Sequence, residues 1–223
     1  MDQNKETFET WNKVADLYQE KFMYLDLYNN SYDILCNKLT KENAKILEVG
    51  CGPGNITKYL LSKRPDLLIE GIDYAPNMIE LAKINNPTAK FKVMDCRQID
   101  QIMTKFDGIA CGFCIPYLSQ TECSKLIADC YHLLTDDGII YLSFVEGDDS
   151  NSGYLTGSTG DRTYFYYYNF DNIKTMLEEN NYFIFDSSKV HYKKNDGTVE
   201  ENTILIAQKN KRTYVNDDSK HKL

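Results

Sequence analysis

Apolar residues at Phe8, Trp11, Ala15, Tyr18 and Phe22 recur at intervals of three and four, which predicts one amphipathic helix at the start of the chain. Tyr28, Tyr32, Leu35 and Leu39 repeat that spacing and predict a second helix. From Lys45 the pattern changes to short apolar runs separated by turn residues and helical segments. That alternation predicts repeated βα units around a parallel sheet, with strands at residues 45–49, 67–72, 90–94, 106–111 and 138–145. Two more strands, at 182–192 and 198–208, flank Asp196-Gly197, a favourable hairpin turn, so the sheet is expected to close with an antiparallel strand.

Helices are expected between the strands. One spans 55–64, and the next carries Pro76 in its first turn, where a missing N–H costs nothing. Ser119-Gln120-Thr121-Glu122 reads as a capping box that opens a helix ending near Leu134, and a short helix is expected at 171–179. Residues 147–160, rich in Gly, Ser, Asp and Thr, have the composition of a mobile loop and lead into the aromatic run Tyr164 to Tyr168. The expected organisation is a helical cap at 1–43, a main domain at 44–208 with a variable lid at 147–170, and a frayed tail at 209–223.

Composition narrows the function classes. A chain of 223 residues with 42% hydrophobic and 26% charged residues suits one folded domain rather than a disordered or fibrous protein. The net charge of −8 disfavours a nucleic-acid backbone as partner. The longest uncharged stretch, 14 residues from Gly108 to Thr121, is too short to span a membrane, and the first twenty residues show no apolar leader. The expected location is therefore the cytoplasm. Seven scattered cysteines suit reduced thiols, and Cys111 and Cys114 form a lone C-x-x-C that reads as core rather than metal site, so no metal is expected.

The chemistry-bearing stretch is Ile46-Leu47-Glu48-Val49-Gly50-Cys51-Gly52-Pro53-Gly54-Asn55, an apolar strand that runs through glycines into a helix. Glycines there allow a sharp turn and close approach of a ligand, while the helix N-terminus offers free amides. A dinucleotide fingerprint would put its third glycine at position 55, which is Asn55. This spacing disfavours a nicotinamide-dependent oxidoreductase. Asp73 follows the second strand nineteen residues after Gly54, where a carboxylate can accept both hydroxyls of a ribose. Asp95-Cys96 closes the third strand and offers a carboxylate and an amide to a purine edge. Three ligand-facing features thus fall at the carboxyl ends of consecutive strands, the rim where open α/β sheets bind ligands.

On these residues the chain resembles the class I S-adenosylmethionine-dependent methyltransferases. Glu48-x-Gly50-x-Gly52-x-Gly54 matches their E/D-x-G-x-G-x-G motif, and the likeness continues through Gly71 to Met78, Asp95, Phe106-Asp107 and Leu133 to Ile139. The resemblance implies a Rossmann-like α/β fold: a mostly parallel seven-stranded sheet with an antiparallel last strand and helices on both faces. It implies S-adenosylmethionine as cofactor. Gly50 and Gly52 would pack against its methionine part with Glu48 supporting the loop, Cys51 and Asn55 would also belong to the cofactor site, and Asp73 would hold the ribose. Tyr74 and Met78 would flank the adenine, Asp95 and Cys96 would read its edge, and Cys111 with Gly112 would lie under the sulfonium. Tyr18 resembles the aromatic residue that relatives supply from the N-terminal helix.

Each of these residues also has a plainer reading. The glycines can serve a tight turn alone, Asp73 can cap the next helix, Asp95 can be a turn residue, Met78 can be core, and Tyr18 belongs to the apolar stripe. Methyl transfer needs no universal catalytic residue, and none is assigned; His191 is the one histidine placed where it could serve as a base. Phe113-Cys114-Ile115-Pro116-Tyr117 stands where nucleobase amino-methylating enzymes carry N/D-P-P-Y, which points to a small-molecule acceptor. The cover over the acceptor is expected from Tyr164, Tyr166, Tyr167 and Tyr168. The alternative function is a catalytically silent methyltransferase-like binding or regulatory subunit.

Overall fold

In the computed structural model, which describes residues 3–194 and 196–210, the apolar runs become seven strands of one sheet. They are β1 (Lys45–Val49), β2 (Leu68–Asp73), β3 (Lys90–Val93), β4 (Phe106–Gly112), β5 (Leu134–Val145), β8 (Tyr182–Lys193) and β9 (Val199–Lys209), in the spatial order β3-β2-β1-β4-β5-β9-β8. β1 to β5 pair in parallel, and β9 runs against both β5 and β8. The turn between β8 and β9 uses Gly197 at φ 85°, and Asp196 Oδ1 accepts the Thr198 amide at 2.9 Å.

Successive residues of the central strands are apolar because helices cover both faces. On one side Leu47, Ile109, Ile140, Leu142 and Leu205 meet α6 (Gln120–Leu133) and α7 (Phe170–Glu179) through Leu126, Ile127 and Ile173. On the other, Ile46, Ala110, Tyr141 and Ile204 meet α3 (Asn29–Lys38) and α4 (Asn55–Lys63) through Leu35, Ile56 and Leu60. α5 (Pro76–Asn85) follows β2, and Ala75, Met78 and Leu81 pack there against the N-terminal stripe. Among the described residues no helix is long and apolar enough to cross a membrane.

Two segments differ from the expectation. The N-terminal stripe is split into α1 (Gln3–Lys13) and α2 (Ala15–Phe22), because Val14 leaves helical geometry at φ −97°, ψ 17°. Residues 147–160 are not an irregular loop: β6 (Gly153–Thr156) pairs antiparallel with β7 (Arg162–Phe165) in a separate hairpin. Ladder bonds and a dock on α1 compensate for its polar composition. Thr10 Oγ1 donates to the Arg162 carbonyl at 2.8 Å, Thr7 Oγ1 accepts the Tyr164 amide at 2.9 Å, and Lys13 and Glu6 pair with Asp161 and Arg162. The expected frayed tail lies almost wholly outside the described residues; Lys209 ends β9 and the Asn210 amide bonds the Asn181 carbonyl at 2.9 Å.

The capping box is present as expected: Ser119 Oγ accepts the Glu122 amide while Glu122 Oε2 accepts the Ser119 amide at 2.9 Å. Replacing Ser119 by Ala is expected to lower stability by about 1 kcal/mol in urea denaturation, with an unchanged m-value. No change in midpoint would show that the cap contributes nothing to α6.

Candidate functional site

The chain leaves β1 through three residues in left-handed geometry, Gly50 at φ 67°, Gly52 at 52° and Gly54 at 80°. A side chain at Gly50 would be strained by its φ and crowded, with a Cβ 3.0 Å from Cys114 Cβ, and at Gly54 it would strike the Asn86 side chain. Gly52 differs: a Cβ there would make ordinary contacts only, with the Tyr18 ring at 3.5 Å and Asn55 Oδ1 at 4.0 Å, and the residue lines an opening. That opening belongs to a cavity of about 300 Å³ at the carboxyl ends of the parallel strands.

Glu48 holds the turn from behind. Its carboxyl is buried and accepts the Thr57 amide at 3.1 Å and the Thr57 hydroxyl, which gives α4 the capping acceptor that Gly54, at its N-cap, cannot supply. Asp73, at the end of β2, ties the turn from the side: Oδ2 accepts the Gly52 amide and Oδ1 the Ala75 amide, each at 2.9 Å. A carboxylate has about four acceptor sites, so both oxygens keep capacity for a diol.

Ten of the twelve residues singled out from the sequence line this cavity: Tyr18, Glu48, Gly50, Gly52, Asn55, Asp73, Tyr74, Met78, Asp95 and Cys96. Cys51 and Cys111 do not. Cys51 packs against Ile79 and Ala82, and Cys111 is turned into the core beneath α6, because strand alternation presents Gly112 to the cavity instead. Asp95 lines the cavity but is engaged by Arg97, which donates Nε and Nη2 to it at 2.6–3.0 Å and also reaches Glu122 at 3.2 Å.

Sequence reading misses most of the opposite wall. Trp11 stands edge-on to both Tyr18 and Tyr117, each at 5.5 Å between ring centroids, and Tyr117 meets Phe165 at 5.8 Å. Phe113 holds φ 55°, an uncommon geometry for a residue with a side chain, and its ring meets Tyr28 at 5.1 Å. Of the aromatic run, Phe165 lines the cavity, whereas Tyr168 is buried in the core with its hydroxyl donating to the Leu118 carbonyl at 2.6 Å. His191 is exposed beside Glu201 and lies away from the cavity lining. The intervals among Phe8, Trp11, Tyr18 and Phe22 carry the signal for one wall, but periodicity alone does not separate cavity lining from core.

The site is acidic, with walls that are mostly apolar. Burial pushes the Glu48 carboxyl up to about 8, with the Thr57 hydrogen bonds opposing, and burial raises Asp73 as well. An unfolded Glu48 ionises near 4.5, so between that pH and about 8 the folded chain holds the extra proton and stability falls as pH rises. Glu48→Gln, which keeps an oxygen for Thr57, is expected to flatten that fall in ligand-free protein, leaving the smaller slope from Asp73. An identical slope in urea melts of wild type and variant would contradict the assignment.

An S-adenosylmethionine-sized ligand fits what is present: an open Gly52 cradle, a carboxylate with spare acceptors at Asp73, and an aromatic cover from Tyr18 and Tyr74. Residues 46–138 match the family model described as a methyltransferase domain. The putative methyltransferase 235L of Invertebrate iridescent virus 6 is 33% identical over 118 residues, which cover 53% of this chain and 43% of that protein. Trans-aconitate 2-methyltransferase of Enterobacter sp. (strain 638) is 36% identical over 66 residues, 30% of this chain and 26% of that enzyme. The chain thus spans less than half the length of these two curated relatives. Magnesium protoporphyrin IX methyltransferase (ChlM) from Synechocystis PCC 6803, solved with bound SAM, shares the fold with a TM-score of 0.68 at 16% identity, covering 94% of this chain and 98% of that one. The left-handed glycine turn, the Asp73 tie and the family match fall on the same segment, residues 46–138, which matches a methyltransferase domain.

Proposed function

We propose that this chain transfers a methyl group from S-adenosylmethionine to a small-molecule acceptor. The observation that carries this reading is the continuous cavity wall that joins Gly50, Gly52 and Asp73 over β1 and β2 to aromatic residues over β4 and β5. Bound there, the cofactor supplies a methyl group made electrophilic by its sulfonium. The protein's part is to place the nucleophile and exclude water.

In this reading the cofactor occupies the half of the cavity over β3, β2 and β1, and Asp73 accepts from its ribose hydroxyls. Gly52 allows the backbone to approach, and Tyr18 covers the turn from above, its ring 3.5 Å from where a Cβ on Gly52 would stand. Trp11, Tyr117 and Phe165 close the other side. α1 and the β6–β7 hairpin form the cover, and their mutual contacts through Lys13–Asp161 and Glu6–Arg162 are exposed ion pairs that open at small cost. Trans-aconitate 2-methyltransferase and the protoporphyrin enzyme are named for small-molecule substrates, which supports an acceptor of that class.

Calorimetric titration with S-adenosylhomocysteine, followed by an assay for acceptor-dependent formation of S-adenosylhomocysteine from S-adenosylmethionine, tests the proposal. Saturable one-site binding with turnover is expected; binding with no turnover on any acceptor would favour a regulatory subunit. Asp73→Ala is expected to weaken S-adenosylhomocysteine by about 1.5–3 kcal/mol, the range for hydrogen bonds to a charged group. Equal affinity in the variant would remove Asp73 from the ribose.

A further inference from the structure

The half of the cavity over β4, β5, β9 and β8 has its own chemistry, and its polar groups are not used by the cofactor reading. Asn202, near the start of β9 and opposite Val145 in the β5 register, is 1% exposed and lines this half. Its Nδ2 donates to the Tyr28 hydroxyl at 2.7 Å, while its Oδ1 is buried and accepts no hydrogen bond. A buried acceptor is costly to leave without a partner, so a ligand donor that reaches it is favoured.

Glu200, two residues earlier on the same face of β9, is the charged residue that lines this half among the described residues. Lys194, from the end of the hairpin, meets its Oε2 from outside the lining. Burial raises the phenols of Tyr28 and Tyr117, and the Glu200 charge adds a smaller push in the same direction. Arg97, the basic residue of the lining, is at the opposite end and is held by Asp95 and Glu122. The remaining walls include the rings of Phe22, Tyr28, Phe113, Tyr117 and Tyr192, whose faces attract cations. Lys21 already stands over two of them, 4.9 Å from the Phe22 centroid and 5.8 Å from that of Tyr192.

We propose that the acceptor is a small amine carried on an apolar or aromatic body, with its N–H groups directed to Asn202 Oδ1 and the Glu200 carboxylate and its body held between the aromatic walls. The lone pair of the uncharged nitrogen would form the new N–C bond as the methyl–sulfur bond breaks, releasing S-adenosylhomocysteine, and the surplus N–H proton would pass to the Glu200 carboxylate. A carboxylate acceptor meets an acidic side chain in this half, and the described lining offers it no cation there. The proposal rests on the methyltransferase reading and narrows it to one class of acceptor.

The test uses the full chain saturated with S-adenosylhomocysteine, titrated with 2-phenylethylamine and with 3-phenylpropionate, which share a ring and tether and differ in charge. Saturation by S-adenosylhomocysteine is itself the first readout; its failure would overturn the methyltransferase reading and this inference together. With that step passed, the amine is expected to bind at least about tenfold more tightly than the acid. Glu200→Gln should remove most of that preference and Glu200→Lys should reverse it, while Asn202→Leu should cost the amine about tenfold. S-adenosylhomocysteine affinity should stay constant across the Glu200 variants and so report an intact fold. Preference for the acid, equal binding of the two probes, or binding of neither would overturn the acceptor assignment and leave the cofactor assignment standing.

Discussion

The site depends on a backbone turn that only glycine can make at low cost. β1 must deliver the chain to α4 within a few residues while leaving Gly52 on the cavity wall, and three left-handed residues achieve this. Such a turn is floppy unless something holds it. Two carboxyl groups do so: Glu48 from beneath, through Thr57 in the first turn of α4, and Asp73 from the neighbouring strand, through the Gly52 amide. Register makes the second tie possible, because β1 and β2 pair in parallel from Lys45 and Leu68 to Val49 and Ile72, which sets Asp73 beside the turn. The same parallel arrangement puts Asp95 at the next strand end and Gly112 across the cavity.

This half of the molecule is legible from sequence because its constraints are local. Apolar runs mark the strands, the spacing of Gly50, Gly52 and Gly54 marks the turn, and Ser119 with Glu122 marks the start of α6. The errors have local causes too. A three-four periodicity cannot report the break at Val14, where the stripe continues on the same side across a change of geometry. Gly- and Ser-rich composition at 147–160 suggests a loop, but the β6–β7 hairpin is stabilised by contacts with α1, distant in sequence, and no local signal encodes those. Cys111 is close to the cavity in sequence, yet alternation along β4 decides that Gly112 faces it.

The half of the cavity proposed for the acceptor is drawn largely from outside the segment that matches the family model. Tyr28 comes from before it, and Phe165, Tyr192, Glu200 and Asn202 come from after it. β8 and β9 are long, 12 and 11 residues, and their outer ends carry Tyr192 and Glu200 to the cavity wall. The acidic, aromatic character of this wall therefore cannot be read from the glycine motif.

Whether the turn over Gly52 and the Asp73 carboxylate form a cofactor cradle is decided by a crystal structure of the chain grown with S-adenosylhomocysteine. Ligand density is expected along the Gly50–Gly52 turn, with ribose hydroxyls within hydrogen-bond distance of Asp73 and the sulfur end directed toward Phe113 and Tyr117. Density elsewhere, or a ribose away from Asp73 with the Gly52–Asp73 bond unchanged, would contradict the cradle.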